Sequence, residues 1–219
     1  MKSILVLIGG GPRDRVVFNT ALAAARPLGA HLDCLHIYVT MEQAARDLAG
    51  EHARGAVLRE ALGRIQTKTE ILARASKAAA DNVRELCARE RIELRDRRPS
   101  DATGVTASFR EETDNTLEAL IRNARNSDLV VMGRAKQTQG LPQDTLERMI
   151  LRCGRPMLLA GADAPKQLDT MMVCWKQSDH STRAVAAATP LLTHAKRVVF
   201  ATVGEPDAQA SDTLSLIHI

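Results

Sequence analysis

Ser3-Ile4-Leu5-Val6-Leu7-Ile8-Gly9-Gly10-Gly11-Pro12 decides how the chain folds. Residues 3 to 8 form a continuous β-prone run, the pattern of a strand buried on both faces, and the glycines and proline stop it. Asp14 stands where a helix cap belongs. Val16, Val17, Thr20, Ala21, Ala24, Ala25 and Leu28 then recur at helical spacing until Gly29 ends the helix. Leu32 to Val39 returns as a second apolar strand. A strand, a helix and a strand with short connections predict parallel pairing and a right-handed crossover.

Working outward, residues 41 to 91 contain no proline and carry helical periodicity through Leu58, Ala61, Leu62, Ile65, Leu72, Ala79, Val83 and Leu86. The glycines at 50, 55 and 63 divide it into a short helix near 41 to 53 and a longer one over 56 to 91. Ile92 to Arg97 reads as a third strand, followed by a polar connection through Pro99 and Gly104. A helix is expected over 116 to 126, and a fourth strand over Asp128 to Met132. Gly133 opens a loop holding Lys136, Gly140 and Pro142. Asp144 caps the next helix, and Pro156 to Ala160 is a fifth strand. The fold class is α/β: an open, doubly wound, mostly parallel five-stranded sheet with helices on both faces.

Residues 1 to 161 make this first domain, and Gly161 to Leu168, rich in breakers, begins a linker over 162 to 169. The opening pattern then repeats over 170 to 206. Thr170 to Trp175 is a strand, Asp179 caps a helix through Arg183, Val185, Ala186 and Leu192, and Val198 to Val203 is a strand. The repeat is a partial β-α-β copy, too small to bury a core without docking. The last residues, 207 to 219, break the pattern. Ser211 to Ile219 reads either as a translated adapter, which makes the end a truncation, or as a short apolar tail.

Composition narrows the function. Of 219 residues 45% are hydrophobic and 26% charged, as in an ordinary globular protein. Aromatic residues are only 2%, which leaves little for stacking bases. The net charge of +4 is spread among acids, and the basic run Arg89 to Arg98 holds Glu90, Glu93 and Asp96. It reads as a solvated helix end, so no nucleic acid partner is expected. No run approaches a membrane span and no cleavable signal precedes Ser3, so no membrane association is expected and the location is cytoplasmic. The cysteines at 34, 87, 153 and 174 form no CxxC pair, and no metal site is expected. Cys34 and Cys174, inside apolar strands, read as small hydrophobes. Gly9-Gly10-Gly11 fails as a dinucleotide fingerprint because Asp14 stands where the third glycine belongs, and reads as a tight turn.

Ser3 to Gly10, the alanine-rich helix to Leu28-Gly29-Ala30-His31-Leu32, Ser127-Asp128-Leu129-Val130-Val131-Met132-Gly133-Arg134, and Gly154-Arg155-Pro156-Met157-Leu158-Leu159 together resemble universal stress proteins. The resemblance spans about residues 2 to 205. Val173-Cys174-Trp175 through Arg183-Ala184-Val185 is similar to the opening of a second tandem domain. It implies an adenine-nucleotide alpha-hydrolase-like sheet with any ATP at the carboxyl ends of the strands. The family pattern there has an acid closing the first strand, then Gly-x2-Gly-x9-Gly-Ser/Thr after the fourth.

Here Gly9 takes the acidic position, Gly133 supplies the first glycine, Lys136 stands in place of the second, and Gln143-Asp144 replaces Gly-Ser/Thr. Asp144 sets a negative charge at a helix N-terminus where a phosphate would lie. The candidate cofactor-binding residues are therefore Gly9, Gly10, Gly133, Arg134, Lys136 and Gly140, in a degenerate nucleotide site with no cofactor expected. No nucleophile motif appears, and no catalytic residue is assigned. The resemblance implies a noncatalytic stress-response module acting as a homo-oligomer or through a regulatory protein partner, with Pro156 to Ala160 as the pairing edge. The alternative is an ATP-binding stress sensor built on the loop after the fourth strand.

Overall fold

The computed structural model describes residues 1–38, 56–96, 103–113, 116–134 and 144–202. The helix expected near 41 to 53, the candidate residues Lys136 and Gly140, and the segment 207 to 219 lie outside them. Two compact units divide between Lys166 and Gln167, inside the stretch expected as linker.

The first unit contains β1 (Ser3–Leu7), α1 (Asp14–Ala25), β2 (His31–Tyr38), α2 (Ala56–Glu90), β3 (Glu93–Leu94) and β4 (Thr106–Thr113). It continues with α3 (Thr116–Arg125), β5 (Leu129–Met132), α4 (Thr145–Arg152) and β6 (Met157–Leu159). Six parallel strands lie in the order β3-β4-β2-β1-β5-β6. Because side chains alternate along a strand, Leu5 and Leu7 face one side and Ile4 and Val6 the other. Leu5, Leu7 and Leu35 cluster with Leu117, Leu120 and Ile121 of α3 and Met149 of α4. The opposite face packs beneath α1 and α2, where Val17, Phe18, Ala21, Ala79 and Val83 are buried. Both faces of β1 and β5 are therefore covered, which is why their sequences read as unbroken apolar runs.

The expected polar connection through Gly104 is corrected by β4, which makes six strands rather than five. Its hydroxyls hid it. Thr106 and Ser108 are buried, bonded to the two ring nitrogens of His31 at 2.8 and 2.9 Å. Arg110 donates twice to Asp33, at 2.9 and 2.7 Å. Polar residues on an inward face are satisfied across the strand pair, so the strand survives without an apolar stripe. Of the third strand expected over 92 to 97 the described residues form Glu93–Leu94, paired among them only to β4.

The second unit repeats the order strand, helix, strand: β7 (Thr170–Trp175), α5 (Asp179–Leu192) and β8 (Arg197–Thr202), with β7 and β8 parallel. Asp179 is not its cap. Ser178 has the extended backbone a cap needs, and its hydroxyl accepts the Ser181 amide at 3.2 Å. Cys34 is buried and its thiol is held well above its ordinary pKa by burial, whereas Cys174 is exposed and does not fill a core position.

At the amino ends of the strands, Asp128 joins β5 to β1. Its carboxylate accepts the amides of Lys2 and Ser3 at 2.5 and 3.1 Å, and its own amide donates to Ser3 O at 2.9 Å. The Lys2 amide chiefly, then the Ser3 amide, the chain N-terminus and Arg155, hold this carboxyl below its ordinary pKa against some desolvation. The folded state thus binds the Asp128 proton less readily than the unfolded chain. Its contribution is complete above the unfolded value of about 3.9 and is lost as the pH falls through the lower folded value. The stability gap between the natural chain and Asp128→Asn, measured as urea midpoints, is expected to be widest near neutrality. It should narrow below pH about 4; a gap independent of pH would contradict this account.

Candidate functional site

In an open α/β sheet the crevice forms at the carboxyl ends of the strands, where the winding order reverses. Here the chain winds from β1 through β2 to β4 on one side, then crosses to β5 and β6 on the other, so the reversal lies between β1 and β5. Ile4, Leu5 and Val6 pair with Leu129, Val130 and Val131. Continuing that register brings Ile8 and Gly9 beside Gly133 and Arg134. Gly9, Gly10, Gly133 and Arg134 therefore gather at one end of two adjacent strands, with Gly133 buried and Arg134 exposed.

The amides of the two N-terminal glycines point at a carboxylate of their own chain. Gly9 donates to Asp14 Oδ1 and Gly10 to Asp14 Oδ2, each at 2.9 Å. Asn82 of α2 donates to the same Oδ2 at 2.9 Å. Asp14 is 4% exposed. The expected cap role is corrected: Arg13 occupies the cap position without a side-chain capping bond, and Asp14 is the first helical residue, turned back onto the loop. Its negative charge still sits favourably in the first turn.

Helix α2 closes on the same loop. Gly10 has φ +78°, and a Cβ built on it would lie 2.0 Å from Ala75 O. Only glycine fits there, on conformation and on space.

Two further groups reach this end of the sheet that the sequence did not single out. Arg13 donates to Ala162 O at 2.8 Å and to Gly161 O, tying the loop after β1 to the chain leaving β6. His36, 4% exposed on β2, donates from Nδ1 to Ile8 O at 2.8 Å, which makes Nε2 an acceptor in the neutral ring. Nε2 is buried without a hydrogen-bond partner among the described residues, and the ring stacks on Tyr38 with centroids 6.1 Å apart. A histidine inside the apolar run Leu35-His36-Ile37 was the available signal. Asp144, at the head of α4, makes no capping bond either; its carboxylate pairs with Arg148 at 3.4 Å.

The geometry is that of a strand-end crevice whose first loop is bonded to an internal carboxylate. The sequence pattern that defines the universal stress protein family matches residues 1–154. The chain belongs to the universal stress protein family. Its fold is similar to that of a universal stress protein from Archaeoglobus fulgidus, with a TM-score of 0.58 and 13% identity over 99% of this chain and 71% of that one. Universal stress protein UspA from Lactobacillus plantarum matches at a TM-score of 0.46 and 14% identity, over 73% of this chain and 97% of that one. A universal stress protein described as in complex with cAMP matches at 0.40 and 15%, over 74% and 98%. No curated protein sequence matches the chain.

Gly10 measures how closely this family member's α2 must approach the loop. Gly10→Ala meets the Ala75 carbonyl and forces a left-handed backbone on an L residue, and is expected to cost about 2–4 kcal/mol in urea unfolding. A loss below about 0.5 kcal/mol, the size of an ordinary surface change, would show that the loop and α2 separate freely.

Proposed function

We propose that this universal stress protein is a noncatalytic stress-response module of tandem type, acting in the cytoplasm by association rather than by nucleotide turnover. The observation that carries this reading is the Asp14 carboxylate. It takes both glycine amides at the end of β1, 2.9 Å each, in the loop where an adenine nucleotide would sit. A nucleotide approaching that loop meets a buried negative charge and α2 at Ala75 rather than free donors. The phosphate loop after β5 is degenerate in sequence as well, with Lys136 and Gln143-Asp144 in place of glycine and Gly-Ser/Thr.

Association is assigned to the β6 margin, with a second copy or a regulatory protein as partner. Leu159 there is 37% exposed, and α4 carries Leu151 at 83% and Ile150 at 56% exposed. Apolar side chains beside a strand edge that is unpaired among the described residues favour pairing with another chain. No membrane partner is assigned. Among the described residues no helix is long and apolar enough to cross a membrane.

The second reading, an ATP-binding sensor, is favoured by the cations at the same strand ends, Arg13 and Arg134 beside buried Gly133. Calorimetric titration of the full chain with ATP separates the two. No saturable binding is expected, and a micromolar dissociation constant would replace the first reading with the second. In that case Lys136→Glu is expected to abolish binding with the circular dichroism unchanged.

A further inference from the structure

Three arginines meet where α3 and α4 end. Arg125 is the last residue of α3 and Arg152 the last of α4. Arg155, two residues before β6, donates from Nε and Nη2 to Arg125 O at 3.1 and 2.6 Å, and Arg125 donates from Nη2 to Arg152 O at 3.4 Å. The carbonyls at a helix C-terminus favour cations, which explains why the guanidiniums gather. It leaves their charge largely unmatched. Arg152 pairs with Glu118 at 2.9 Å, whereas among the described residues Arg125 and Arg155, both exposed, bond to carbonyl oxygens. Asp128, which interacts electrostatically with Arg155, already accepts the amides of Lys2 and Ser3.

An aliphatic surface adjoins the cluster. Met149 of α4 lies in the core and Arg152 reaches Glu118 of α3. Ile150, about 200° round the helix from Arg152, therefore turns to the flank away from α3. Because α3 packs over β2, that flank is the β6 side. Leu151 stands outermost, and both side chains are exposed.

Charge selects the occupant. A two-fold contact sets the same patch on both partners, and centred on this end it would oppose arginine to arginine. A second copy is therefore disfavoured here. A nucleic acid would find the guanidiniums, but the exposed side chains beside them are aliphatic and offer no ring on which a base could stack. A peptide with carboxylates and an aliphatic side chain matches both parts: the guanidinium fork takes a carboxylate by two parallel bonds, and Leu151 and Ile150 lose exposed area.

We propose that the C-terminal ends of α3 and α4 form a docking patch for an acidic, leucine-bearing segment of a partner protein, held by Arg125 and Arg155 with Leu151 and Ile150 as its apolar floor. The proposal rests on association at the β6 margin, and it makes the partner at this end of the margin a regulatory protein rather than a second copy.

A fluorescein-labelled octapeptide of alternating glutamate and leucine, titrated with the full chain and read by anisotropy, tests it. Saturable binding is expected, weakening as sodium chloride rises, as exposed charge contacts require. Octapeptides of glutamate with serine and of lysine with leucine each lack one half of the match, and are expected to bind at least about tenfold more weakly. Arg155→Gln and Leu151→Ser are each expected to weaken the glutamate-leucine peptide about tenfold, with circular dichroism unchanged. Leu151 is 83% exposed, so its variant keeps the fold even where Arg155→Gln disturbs it. An absence of saturable binding, an affinity indifferent to both variants, or equal binding of the lysine peptide overturns the proposal. So does an oligothymidylate that displaces the peptide at equal concentration, which would make the patch a phosphate-backbone site. A chain that ignores the peptide, yet self-associates and loses that association on Leu159→Lys, drops this inference alone and keeps association at β6.

Discussion

The Asp14 carboxylate is bonded to three donors drawn from two separate stretches of chain: the amides of Gly9 and Gly10 and the side-chain amide of Asn82. It is 4% exposed, so each bond forms where water competes poorly, and each donor would be costly to leave alone. Through it the end of β1, the start of α1 and the C-terminal part of α2 are fixed to one another. That fixation sets the close approach of α2 to Gly10, and the approach in turn permits no side chain at that position. The turn, the helix seat and the closed loop are three consequences of one buried charge.

The same carboxylate organises the electrostatics of the crevice. Loop amides that would otherwise present positive partial charge are bonded internally to a carboxylate. Arg13 spends its guanidinium on the carbonyls of Gly161 and Ala162, and Arg134 stands exposed at the end of β5. Both arginines thus lie at the strand ends where the Gly9 and Gly10 amides are already bonded. Such an arrangement can hold its own shape without an anion, whereas a glycine-rich phosphate loop leaves its amides pointing outward for one.

How much of this was legible in sequence follows from how local each signal is. The runs of β1 and β5 are covered on both faces, so their continuous apolar character identified them directly. β4 was not legible, because Thr106, Ser108 and Arg110 are satisfied by His31 and Asp33, residues 75 to 77 positions away. The four glycine and arginine positions at the β1 and β5 ends were legible through their place after apolar strands. The direction of the Asp14 side chain was not, since an acid at the head of a helix serves equally as a cap or as a partner for the preceding turn. Ser178 and Asp179 show the same ambiguity: both cap well, and only the extended backbone at Ser178 distinguishes them. His36 was missed because a lone histidine in an apolar strand carries no spacing.

The two units show that a strand's burial is a property of its neighbours rather than of its own residues. Val173-Cys174 in β7 and Ile4-Leu5-Val6 in β1 are comparably apolar, and each strand leads into a helix and a parallel partner. In the first unit α3 and α4 cover the face opposite α1 and α2, so residues 4 to 7 are all buried. In the second unit one helix serves one face, and exposure alternates residue by residue along β7. Cys34 and Cys174 differ for this reason alone: both lie in apolar strands, yet one is enclosed from both sides and the other faces outward. An apolar strand exposed on one face and, among the described residues, paired along one edge alone has favourable contacts still to make. Its stability is thus tied to association, in a way that the enclosed strands of the first unit are not.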